Sequence, residues 1–89
     1  MNTTVARLLH SLRKAQRLGR AILEFSDLGD RDVLFTFATP EVLLINCRNC
    51  ETTWRFDDGQ VRLWQAIACV QPSIQRIEIE KEGKRFFTF

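Results

Sequence analysis

Cys47-Arg48-Asn49-Cys50 is the one spacing in the chain that metal or thiol chemistry uses. Two thiolates at C-x-x-C spacing in a turn reach one zinc ion, and Cys69 with His10 would complete four ligands. A second C-x-x-C pair, the usual companion in zinc sites, is missing from the sequence. Thiol redox chemistry needs the motif at the start of a helix, where the dipole lowers a thiol pKa. Glu51-Thr52-Thr53-Trp54-Arg55-Phe56 instead alternates like a strand. The expectation is therefore two reduced thiols flanking a hairpin turn, with no cofactor. Zinc or thiol chemistry at Cys47 and Cys50 is the alternative.

Other catalytic constellations lack parts. The chain has a single His, three Ser and no Tyr, so most nucleophile, base and orienter sets cannot be assembled. Gly19, Gly29, Gly59 and Gly83 lie too far apart for a phosphate-binding glycine loop. Asp27, Asp30 and Asp32 fail the calcium-loop pattern because Gly29 falls inside the aspartate run, and turn or capping roles account for them and for Asp57-Asp58. The chain reads as a binder rather than an enzyme.

Charge is the strongest binding signal. The net charge is only +2, but the first 23 residues hold five of the thirteen cations and none of the eleven acids. Arg7, Arg13, Lys14, Arg17 and Arg20 fall with His10 in one helical arc of about 140°. Guanidinium forks suit bidentate contacts to carboxylate or phosphate. This face is expected to dock an acidic protein surface, with nucleic acid as the alternative ligand and pairing to the chain's own acids at 24, 27, 30 and 32 as the purely structural one. Nucleic acid favours aromatics interleaved with cations. Residues 31–37 and 84–89 carry both, without the glycine of aromatic RNA-binding strands, and their phenylalanines are expected in the core. A membrane surface is the weaker ligand, since the helix's apolar face has no bulky aromatic. Trp64, Phe86, Phe87 and Phe89 put more apolar surface on the chain than a one-layer sheet covers, which points to homodimerisation there.

Those residues need elements to hold them. Val5, Leu8, Leu9, Leu12, Ala15, Ile22 and Leu23 form an apolar arc opposite the cations, so the N-terminal segment is an amphipathic helix. Asn2, Thr3 and Thr4 offer its N-cap. Gly19 is read as ending it, although the stripe runs on to Leu23 and a longer helix with Gly19 as a close-packing site fits too. Val33–Ala38, Val42–Cys47 and Cys50–Phe56 read as strands, with Arg20–Phe25 as helix tail or a further strand. Asp57-Asp58 caps a second helix from Gly59 to about Val70, stopped by Pro72 and mostly buried. A hairpin over Ile74–Lys81 and Arg85–Phe89 closes the chain. The expected fold is α+β: an N-terminal amphipathic helix and a second buried helix on one face of a small, mainly antiparallel sheet of four to six strands.

Eighty-nine residues allow a single domain, 1–89. Three cysteines make no disulfide scaffold, and no apolar run is long enough to span a membrane. With no secretory signal, these features point to the cytoplasm, although the acid-free start also matches the composition of an organellar transit peptide. The functional expectation is a small non-enzymatic accessory or regulatory domain that binds an acidic protein partner.

Overall fold

The structure is a computed structural model describing residues 3–29 and 31–89. Its elements run α1 (Thr3–Ser26), β1 (Val33–Ala38), β2 (Val42–Cys47), α2 (Cys50–Asp58), α3 (Gln60–Val70), β3 (Arg76–Lys81) and β4 (Lys84–Thr88). The four strands form one sheet in the order β1-β2-β3-β4. This is the expected α+β domain with its helices packed against a small sheet.

Four points depart from the sequence reading. First, α1 does not end at Gly19. A Cβ there would lie 2.8 Å from Thr36 Oγ1 and 3.0 Å from the Thr36 backbone carbon. The glycine lets helix and strand approach closely, and the helix continues to Ser26, so Arg20–Phe25 is helix tail. Of the N-cap candidates, Asn2 lies outside the described residues and Thr3 already opens the helix.

Second, Cys50–Phe56 is not a strand but most of α2. Asn49, read from sequence as a turn residue, is its N-cap: Oδ1 accepts from the Thr52 backbone N–H and the Thr52 hydroxyl, both at 2.8 Å. Thr52 and Phe56, four residues apart, share the buried side, while Trp54 is exposed.

Third, Asp57-Asp58 does not cap the next helix but ends α2. Gly59 is the junction between α2 and α3, with no side-chain cap for the latter. A Cβ on Gly59 would sit 2.6 Å from Leu28 Cδ1, so the junction is pinned under the loop that follows α1. α3 keeps the expected span but is not mostly buried: only Leu63, Ala66 and Ile67 are, and Val61, assigned to its apolar arc, is 69% exposed.

Fourth, the sheet is mixed. β1–β2 and β3–β4 are antiparallel hairpins, but β2 and β3 pair in parallel, with Leu43 beside Ile77 and Ile45 beside Ile79. A helical crossover, here α2 and α3, is what a parallel pair requires.

Thr36, Ala38, Leu43, Ile45, Cys47, Ile77 and Ile79 form the buried side of the sheet. They share the core with Ile22 and Leu23 of α1, Phe56 of α2, and Leu63, Ala66 and Ile67 of α3. Phe35, Phe37, Val42, Leu44, Glu78 and Glu80 occupy the other side and keep contact with solvent.

Candidate functional site

α1 and the sheet have different lengths. Twenty-four residues of helix span about 36 Å, whereas six-residue strands cover about 20 Å. The helix therefore overruns the sheet. Its buried residues are Gly19, Ile22, Leu23 and Ser26, all in the C-terminal half, and residues 3–14 are exposed on every side.

The apolar arc expected to lie on the sheet thus does so only from Ala15 onwards. Val5 (44%), Leu8 (61%), Leu9 (40%) and Leu12 (52%) stand in solvent. The periodicity that marks this stripe was legible in the sequence, but its lack of a cover was not, because helix phase says nothing about how far the sheet beneath extends.

Arg7, Arg13, Lys14, Arg17 and Arg20 are all exposed. Among the described residues none of them forms an ion pair. Two acids of the following loop are engaged elsewhere: Asp27 Oδ2 lies 3.6 Å from Arg62 Nη2, and Asp32 Oδ1 lies 3.9 Å from Arg48 Nε. Glu24, one turn beyond Arg20 on the same helix, is in no ion pair among the described residues. Asp30 lies outside the described residues. The five cations are thus exposed to solvent, and among the described residues no acid pairs with them. Phe25, also exposed, falls in the same helical arc as these cations.

Trp64, Phe87 and Phe89 are half-buried and pack against the margin of the core, leaving Phe86 as the exposed aromatic of that group. Phe87 stacks on Phe89 at 5.2 Å between ring centroids and meets Phe86 edge-on at 5.4 Å. The two segments that mix cations with phenylalanines, residues 31–37 and 84–89, hold β1 and β4, which are the opposite edges of the sheet. Their rings cannot make one stacking platform.

Cys47 ends β2 and is fully buried, Cys50 opens α2 half-buried, and Cys69 is exposed on α3; all three are free thiols. His10 is exposed on α1. The fold does not gather these four as zinc ligands, and among the described residues no three His, Cys, Asp or Glu side chains could hold a metal ion together. The hairpin turn expected between the cysteines is instead the junction of a strand and a helix. The strand-based objection to thiol chemistry therefore falls away, while the burial of Cys47 leaves Cys50 as the thiol of the pair that solvent reaches.

Two recesses flank α1. One of about 240 Å³ lies between Gln16, Arg20, Leu23 and Glu24 of the helix and Val33–Thr36 of β1. The other, about 280 Å³, lies where Ala15 and Leu18 meet Ala38, Thr39 and Pro40 at the β1–β2 turn. Among the described residues no helix is long and apolar enough to cross a membrane. Compared with protein-family models, curated proteins and solved structures, the chain matches none.

Proposed function

We propose that this is a non-enzymatic accessory domain of the cytoplasm that docks an acidic protein surface through Arg7, Arg13, Lys14, Arg17 and Arg20. The observation that carries the reading is the exposure of all five cations without an ion pair among the described residues, while Asp27 and Asp32 are taken by Arg62 and Arg48. A row of cations on a rigid helix presents fixed charge at regular spacing. It steers an anionic partner and sets its register more than it adds raw affinity. Four of the five are arginine, which favours bidentate carboxylate contacts over point-charge attraction.

Nucleic acid is the second reading, and Phe25 is what favours it. An exposed aromatic in the same arc as a cation row is one element of a single-strand stacking site.

Fluorescence anisotropy with a labelled polyglutamate peptide and with a labelled single-stranded oligonucleotide separates the two. The acidic-partner reading expects the peptide to bind at low salt and weaken as salt rises. The double substitution Arg13→Glu, Arg17→Glu should lower affinity by about tenfold or more, at roughly 1 kcal/mol for each reversed contact. Equal peptide binding by wild type and the double variant would refute the assignment. Tight oligonucleotide binding lost on Phe25→Ala would move it to nucleic acid.

A further inference from the structure

We infer that the recess between α1 and β1 seats one bulky apolar side chain of the acidic partner, whose carboxylates run to one side of that anchor along Arg20, Arg17 and Arg13. The inference rests on the acidic-partner reading and names the segment that satisfies it: an apolar anchor next to a short run of acids.

The two recesses lie on opposite flanks of α1. At about 100° per residue, the buried Gly19 and Ser26 mark the line along which the helix rests on the core. Ser11, Lys14, Ala15 and Leu18 fall on one side of that line, and their recess also reaches Gln71, the C-cap of α3. Gln16, Arg20, Leu23 and Glu24 fall on the other, so the 240 Å³ recess opens away from α3, over β1. β1 is an edge strand, and among the described residues no further strand closes that side.

Size and lining select what enters. Leu23 supplies buried apolar surface, and Val33 and Leu34 supply apolar surface that solvent still reaches. The register of β1 against β2 shifts between Val33 and Phe35, which leaves Leu34 as a bulged residue without a partner on β2. A bulge re-aims the side chain it carries, and Leu34, 43% exposed, lines the recess. A volume of about 240 Å³ is below the roughly 300–1,000 Å³ of pockets that hold a whole small molecule. It suits instead the single anchor residue around which many protein interfaces are built.

Charge sets what flanks the anchor. Of the five cations, Arg13, Arg17 and Arg20 lie on the recess flank, within about 60° of one another, whereas Lys14 and Arg7 turn to the other flank. Arg20 stands at the recess itself. Arg17 and Arg13 follow about 4.5 and 10.5 Å away along the axis, at 1.5 Å per residue. An extended segment covers that distance in about three residues, at about 3.3 Å each. A few consecutive acids beside the anchor therefore meet all three guanidinium groups.

Glu24 gives the site its polarity. It lines the same recess one turn past Arg20, at the end away from Arg13, and is in no ion pair among the described residues. A carboxylate of the partner placed there meets a like charge, so the acids run only towards Arg13. The same carboxylate disfavours the evenly spaced phosphates of a nucleic acid along this flank.

Fluorescence anisotropy of the full chain with short labelled peptides tests this: four glutamates preceded or followed by phenylalanine, and the same two with serine in its place. A Gly-Ser spacer parts the label from each sequence. At least one phenylalanine peptide should bind about tenfold or more tighter than its serine counterpart, the gain from burying one large apolar side chain. Leu34→Ser, with an unchanged circular dichroism melt, should remove that gain and leave the serine peptide's affinity as it was. A further peptide of equal charge, with phenylalanine between two pairs of glutamates, should bind more weakly than the better end-anchored one, and Glu24→Gln should close that gap. On the unaltered chain, amide chemical shifts locate the anchor: the phenylalanine peptide should move Gly29, Val33 and Leu34 beyond what the serine peptide does. Equal binding of phenylalanine and serine peptides, a gain that survives Leu34→Ser, a centred phenylalanine that binds as well, or extra shifts at Ala38 and Thr39 instead would each overturn the inference while the acidic-partner reading stands. Binding by none of the peptides would overturn that reading, and the inference with it.

Discussion

Replacing Gly19 with alanine sets two known effects against each other at one atom. On an exposed helix the change is stabilising by about 1 kcal/mol, because glycine has the greater backbone freedom to lose. Here the new methyl would lie 2.8 Å from Thr36 Oγ1 and 3.0 Å from both Thr36 Cγ2 and the Thr36 backbone carbon. The side-chain atoms can rotate away only by giving up the bond in which the Thr36 hydroxyl donates to the Leu44 carbonyl at 2.9 Å. The backbone carbon cannot rotate at all, so helix and strand must separate. Overpacking of this kind costs about 1–3 kcal/mol, and that bond is worth about another 1 kcal/mol if it breaks. Gly19→Ala should therefore be destabilising by about 1–2 kcal/mol net, lowering Tm by about 4–8 °C per kcal/mol in a chain this size. Thermal and urea denaturation of Gly19→Ala, Thr36→Ala and the double variant measure it. Removing Oγ1 and Cγ2 should relieve part of the clash, giving a favourable coupling of about 0.5 kcal/mol or more. A Gly19→Ala protein about 1 kcal/mol more stable than wild type would refute the reasoning. It would mean that α1 does not rest on β1 at this point, and its exposed N-terminal half would lose its anchor.

Two further outcomes test the parts the sequence left open. Asn49→Ala removes the acceptor for the Thr52 backbone N–H and hydroxyl, and should cost about 0.5–2 kcal/mol by urea denaturation as α2 loses its cap; an unchanged midpoint would remove that cap from the account of α2. Ile22→Ala and Leu8→Ala delete apolar groups from one arc of one helix, at 0% and 61% exposure. By urea denaturation the first should cost about 2–5 kcal/mol and the second within about 0.5 kcal/mol; equal losses would mean that the stripe is covered after all.

The fold was legible where a pattern is long. The arc of α1 repeats over five turns and the arc of α3 over three, and both helices lie where periodicity puts them. Cys50–Phe56 misled because seven residues cannot separate a period of 2 from one of 3.6. Thr52, Thr53, Trp54 and Phe56 also carry the β-branched and aromatic character of strands. What decides the segment is Asn49, and an asparagine between two apolar runs suits a tight turn and a helix cap equally. The parallel pairing of β2 and β3 was hidden for the same reason, since turning one strand into a helix changes the connection from a hairpin into a crossover. Of the candidate site, the cation row was fully visible. That Asp27 and Asp32 pair with Arg62 and Arg48 was not, because residues some 35 and 16 positions apart meet only through the fold.

The crossover also orders the way the chain comes together. Each hairpin closes on its own short turn, whereas β2 meets β3 only between residues 34 positions apart, as from Val42 to Arg76. Contacts so distant along the chain bear the larger loop-closure entropy and slow folding. The seam between β2 and β3 is thus the natural last joint of the sheet, and it forms only once α2 and α3 have taken up the intervening chain. A nick within residues 48–75 leaves the β3–β4 hairpin as a two-stranded ribbon, at best marginally stable in water, and parts it from the β1–β2 hairpin that α1 covers. The segment that carries neither the basic row nor the stripe is therefore the one whose continuity the whole sheet depends on.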